Sequence, residues 1–290
     1  MMKIEEKAYA KLNLSLDVVS RLPDGYHAMK MVMQSVSLCD DVVIELNDSG
    51  EITAKTDLRY LPCDDRNLAA RAARLFFEAT GREGQGAEIN LKKRIPVCAG
   101  LGGGSSDAAA VLRGLNRLTG AGMTEKELCA IAGRIGSDVA FCVAGGTALA
   151  EGKGEVLTDL TPLPSCGIVI CKPKFSISTP ELFSRIRCEK IRCRPNTEGM
   201  LHALEEGDLL GVACRSYNVF EDVLPARFAE IQGIRSRLLN SGALGSAMSG
   251  TGSAVFGLFE SIDTAREVYE ELRKSYRECF IAQPVKKLDI

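Results

Sequence analysis

The sequence contains only two histidines, His27 and His202, and no cysteine pair spaced as CxxC. A zinc site or a disulfide framework needs tighter clustering of such residues. The eleven cysteines are scattered and odd in number, so free thiols in a reducing cytoplasm are expected. Long apolar runs are also missing. Cys166–Cys171 is typical of what is there, far short of the ~20 residues that cross a bilayer. The first residues, Met1 to Lys7, carry no apolar core of signal-peptide length. A net charge of -2 gives no broad basic field, which argues against a nucleic-acid or anionic-membrane binder.

What remains is an ordinary globular composition, 46% hydrophobic and 26% charged, in a chain of 290 residues. That length favours two domains, and the change of pattern around 155–165, with Pro162 and Pro164, places them at 1–160 and 161–290.

The first clear element runs from Tyr9 to Val19. Ala10, Leu12, Leu14, Leu16 and Val18 alternate with polar partners, the period of a strand with one buried face. Lys11 and Asn13 stand side by side on the other face, where a lysine is ordinarily solvated. Pro23-Asp24-Gly25 marks a turn. Strands are expected at 41–46 and 87–93, and helices at 67–79 and 105–119. Thr124 and Glu127 form a capping box for a further helix ending near Gly136. The glycine-studded stretch 145–154 suits a strand pair. In the second half, strands at 168–172, 244–248, 254–259 and 279–284 alternate with helices at 180–187, 198–206, 225–239 and 263–275. This order suggests a small antiparallel sheet with helices on one face, an α+β arrangement.

The strongest chemical signal is Pro96-Val97-Cys98-Ala99-Gly100-Leu101-Gly102-Gly103-Gly104-Ser105-Ser106-Asp107. Four glycines in five positions let main-chain N–H groups approach an anion without obstruction by Cβ atoms. The loop feeds a helix start, whose free N–H groups and dipole favour negative charge, and Ser105 and Ser106 add hydroxyls suited to phosphate oxygens. No Lys-Ser/Thr follows the glycines, so this is not a Walker loop, and the spacing is not G-x-G-x-x-G. A flexible loop capping a helix is the bland reading. A second segment, Gly245 to Ser253, reads alone as a hairpin turn, and together with the first as another wall around a phosphorylated ligand. Asp138, at a helix start, is either a cap or a base. Together these parts suit phosphoryl transfer, in which positioning and charge neutralisation do most of the work.

The segment Pro96–Asp107 resembles the phosphate loop of the GHMP kinases. Ala10–Leu16, Pro23-Asp24-Gly25-Tyr26-His27 and Gly136–Phe141 narrow the resemblance to the branch acting on a cytidine-diphosphate methylerythritol in the non-mevalonate isoprenoid pathway. The resemblance implies a two-domain architecture, an N-terminal ATP-binding β/α domain and a C-terminal ferredoxin-like α+β domain. It implies ATP and Mg²⁺, a small-molecule acceptor, and a monomer or homodimer. By the family pattern Asp138 is the catalytic base and Lys11 its partner, with Asn13 on the same wall. Pro96, Gly100, Gly102, Gly103, Gly104, Ser105 and Ser106 hold the ATP phosphates, and Asn67 lies near the nucleoside. Tyr26 and His27 recognise cytosine, opposite Phe183, with Thr179 and Pro180 in that wall. Three departures stand out. Ser253-Ala254 replaces the commoner Pro-Thr, Ser137 and Ala140 replace Ala and Pro beside the base, and the Cys/Arg-rich segment 187–196 matches nothing in the pattern. Two other readings stay open, a GHMP kinase with another acceptor alcohol and a non-catalytic nucleotide sensor.

Overall fold

The computed structural model describes residues 2–290. Two long strands, β1 (Lys3–Arg21) and β2 (His27–Asn47), pair antiparallel around the turn at Pro23–Gly25. β3 (Ile52–Thr56) runs parallel to β4 (Gly86–Lys92), and β4 pairs with β2. Between them lies α1 (Leu68–Ala79), capped by the Asn67 side chain. The anion-type loop then leads into α2 (Gly103–Thr119). Helix α3 (Glu125–Gly133) begins at the Thr124/Glu127 capping box, and α4 (Ser137–Ala144) follows. β5 (Thr147–Gly152) and β6 (Val156–Asp159) complete the first sheet.

A second, four-stranded antiparallel sheet is built from β7 (Gly167–Lys172) and three later strands. After β7 come α5 (Thr179–Arg185), α6 (Thr197–Glu205) and α7 (Leu209–Cys214). β8 (Tyr217–Asn218) returns to the first sheet, pairing parallel with β1 at Ser15 and Leu16. The chain continues through α8 (Glu230–Asn240), β9 (Gly245–Met248), β10 (Val255–Phe259), α9 (Ile262–Leu272) and β11 (Glu278–Ala282). The order β11-β7-β10-β9 matches the small antiparallel sheet expected from the sequence. Both α8 and α9 pack on this sheet. The last residues cross back, with isolated bridges joining Val36 to Pro284 and Gly145 to Lys287.

Several elements were not expected, among them the first part of β2 and 3₁₀ turns at Cys188–Lys190 and Val219–Val223. β3 and β8 are short, and α7 is a six-residue helix. The helix expected at 225–239 is a 3₁₀ turn at Ala226–Phe228 followed by α8.

The reading of β1 needs correction. Its polar positions Lys11, Asn13 and Ser15 are as buried as its apolar ones. Register shifts against β2 fall between Tyr9 and Lys11 and between Asn13 and Ser15. Such irregularities re-aim side chains. Ala8, Leu16 and Val18 join the core beneath the helices, whereas Ala10, Leu12 and Leu14 join the core shared with β7, β10 and α6. Lys11 and Asn13 therefore turn toward the helical side, where the glycine loop and α4 meet them.

Candidate active site

The two glycine segments meet. The Ala254 amide donates to the Ala99 carbonyl, and Ser249 Oγ donates to the Gly100 carbonyl at 2.9 Å. Gly100 has φ +77°, and a Cβ there would lie 2.0 Å from the Ser249 carbonyl oxygen, so only glycine permits this contact. The Lys11 amide donates to the Leu101 carbonyl, and the Asn13 amide donates to Ser249 Oγ. Asn218 of β8 supports the second segment by donating to the Met248 and Gly250 carbonyls, both at 2.7 Å. The second segment is thus a wall beside the first.

Against this frame Lys11 Nζ donates to Asn13 Oδ1 at 2.7 Å and stands 3.2 Å from Asp138 Oδ2. The lysine is buried and the aspartate partly open to the cavity. Asp138 lies in the first turn of α4, where the helix dipole favours a carboxylate. No side chain caps that helix through Gly136, and Asp138 itself lines a cavity.

Two cavities adjoin here, and the pair lines one of them. One, of about 530 Å³, is lined by Asn67, Pro96, Gly100, Gly102, Gly103, Gly104 and Ser105. The other, of about 500 Å³, is lined by Lys11, Asn13, Asp138, Thr179, Pro180 and Phe183. They share Cys98, Gly100, Gly102 and Thr179, and Thr179 Oγ1 bonds Thr251 Oγ1 at 2.8 Å across the second glycine segment. Asn67 serves as the α1 cap, accepting from the Ala69 amide and donating one N–H to the Pro62 carbonyl, which leaves its second N–H free to meet a ligand.

His27 faces Phe183, ring centroids 5.1 Å apart, and Phe183 packs edge-on against Phe220 at 4.9 Å. Partial burial and the nearby Arg21 lower the His27 pKa, which favours the neutral imidazole.

Three expected residues do not line these two cavities. His27 lines a neighbouring one with Arg21, Pro180 and Phe183. Ser106 turns inward, its hydroxyl bonded to the Tyr9 carbonyl at 2.6 Å and its amide to the Gly102 carbonyl. It ties α2 to β1 and has no donor left for phosphate. Tyr26 is 64% exposed and lies under Lys153 Nζ. The sequence also gave no sign of Asn218, Lys153 or Phe220. Asn218 sits on a two-residue strand with no motif around it, and the other two reach the site only through the fold.

A basin of this form, a glycine loop at a helix start beside a lysine–aspartate pair, agrees with the comparisons. Residues 67–146 match the family described as GHMP kinases N terminal domain, and residues 200–278 match GHMP kinases C terminal. The 4-diphosphocytidyl-2-C-methyl-D-erythritol kinase of Acetivibrio thermocellus is 44% identical, over 98% of this chain and 100% of its own length. That of Clostridium novyi is 41% identical, over 96% and 99%. A crystal structure of a 4-(cytidine 5'-diphospho)-2C-methyl-D-erythritol kinase superposes with a TM-score of 0.83 at 38% identity, covering 97% of this chain and 99% of that one. The α+β fold, the two matched segments and the similarity along nearly the whole chain show that it belongs to the GHMP kinases.

Proposed function

We propose that this protein transfers the γ-phosphoryl group of Mg-ATP to the 2-hydroxyl of 4-diphosphocytidyl-2-C-methyl-D-erythritol, giving the 2-phosphate and ADP in the non-mevalonate isoprenoid pathway. The observation that carries this reading is the Lys11–Asp138 pair, 3.2 Å apart in the cavity that shares Gly100 and Gly102 with the glycine-loop cavity. The glycine loop offers main-chain N–H groups and the α2 dipole to the nucleotide phosphates in one cavity. The acceptor occupies the other with its hydroxyl beside Asp138, and its cytosine reaches past Phe183 to His27 in the neighbouring cavity.

Asp138 takes the hydroxyl proton as the oxygen attacks the γ-phosphorus, and the bond from that phosphorus to the ADP oxygen breaks. Lys11 neutralises charge developing on the transferred group, and Asn13 fixes the lysine in place. Mg²⁺ arrives with the nucleotide, bound mainly through phosphate oxygens. On this reading residues 1–160 form the nucleotide-holding domain. Residues 161–290 supply the Thr179–Phe183 wall and the second glycine segment.

The test is ADP release with Mg-ATP and a panel of acceptors: the cytidylyl compound, mevalonate, homoserine and galactose. Turnover of the cytidylyl compound alone is expected. Turnover of another acceptor keeps the mechanism and discards the substrate, and silence with ATP still bound favours a nucleotide sensor.

A further inference from the structure

The glycine loop leaves the first sheet at Lys93 and enters α2 ten residues later, at Gly103. One lysine fastens both ends. Lys93 Nζ donates to Asp40 Oδ2 on β2 at 2.5 Å and to Asp107 Oδ2, one turn into α2. The other Asp40 oxygen accepts the Arg94 and Ile95 amides, the latter at 2.8 Å. The side chains of Lys93, Asp40 and Asp107 are 3%, 0% and 4% exposed. Lys93 and Asp107 line the floor of the glycine-loop cavity, and a Cβ on Gly103 would lie 3.7 Å from Lys93 Nζ.

The charges do not cancel. One ammonium lies between two carboxylates, which leaves one negative charge in excess beneath a cavity suited to a polyanion. Asp107 Oδ1 is buried and has no hydrogen-bond partner among the described residues. An ionised, unpaired oxygen in such a place is costly. Burial pushes the Asp107 carboxyl up and the Asp40 charge adds to this, while Lys93 opposes it. Arg66, across the cavity, is already paired with Asp64, and Asp57 is turned to the Lys93 main-chain amide.

We propose that Asp107 is a proton-linked positioning residue for the nucleotide, taking up a proton when the polyphosphate binds. Protonated, the carboxyl turns an unpaired acceptor into a donor and removes the excess negative charge below the phosphates, and Lys93 still joins the loop ends. Ionised, it opposes the incoming anion. The inference rests on the reading that this loop holds ATP phosphates.

Calorimetric titration of the whole protein and of Asp107→Asn with ADP, from pH 6 to 8.5, tests it. Asn keeps the shape and carries no titrating charge. The ratio of wild-type to variant Kd is expected near one at low pH, rising by up to ~10-fold per pH unit once Asp107 ionises. The nucleotide's own titration is common to both proteins and drops out of the ratio. In buffers of different ionisation enthalpy, the wild type should take up more protons than the variant. A ratio independent of pH with equal proton uptake overturns this proposal alone, since a merely structural aspartate lowers affinity uniformly. Absence of ADP binding in both proteins overturns it together with the kinase reading.

Discussion

Lys11 and Asp138 come from the middle of a strand and the first turn of a helix, yet their charged atoms stand 3.2 Å apart. The strand irregularities on either side of residues 11–13 aim the lysine, and α4 carries the aspartate. The position of α4 is therefore as important to the pair as either side chain.

Arg113 fixes that helix. From α2 its guanidinium donates to the Cys142 carbonyl of α4 at 2.7 Å and to the Lys7 carbonyl of β1 at 2.9 Å, beside buried Glu6. Arg113→Met leaves those carbonyls unpaired and Glu6 with Arg117 alone. A stability loss of about 1–3 kcal/mol is expected in urea unfolding, with reduced turnover in the surviving folded fraction. A loss below about 1 kcal/mol would show that α4 is held by other means.

Gly100→Ala tests the meeting of the two glycine segments. The methyl group would meet the Ser249 carbonyl, and φ +77° is unfavourable for alanine. Backbone strain alone is worth about 1–3 kcal/mol, and the walls must part to relieve it. Weakened ADP binding is expected, measured by titration calorimetry. Unchanged binding would mean that the loop tolerates separation from the second segment.

His27 makes a pH prediction. Its pKa lies below the ordinary 6.5, so the neutral ring predominates above that value. A neutral imidazole can accept from the amino group of cytosine, and the imidazolium cannot. The acceptor kcat/KM should be level above pH 6.5 and decline as pH falls through the lowered pKa. His27→Ala should raise the acceptor KM and remove that decline. An effect confined to the KM for ATP would sink the cytosine assignment.

Much of this architecture was legible because local signals agree. The Thr124/Glu127 capping box, the stripe along α2 and the alternation in β1 each point to the element that forms. The alternation in β1 could not show that both faces are buried. Burial of Lys11 and Asn13 depends on α4 and the glycine loop, which are distant in sequence. Ser106 followed the loop pattern, yet its hydroxyl was claimed by the Tyr9 carbonyl, a contact that only the packing of α2 on β1 creates. The Asp40–Lys93–Asp107 cluster carries no motif, because three separate elements bring it together.

The most direct test of the central claim is single-turnover phosphoryl transfer to the cytidylyl acceptor by Asp138→Asn, with ATP affinity measured on the same sample. Loss of the base should slow transfer by ~10²–10⁴-fold and leave ATP affinity within a few-fold of the parent. Near-normal transfer by the variant would contradict the assignment of Asp138 as the group that takes the hydroxyl proton.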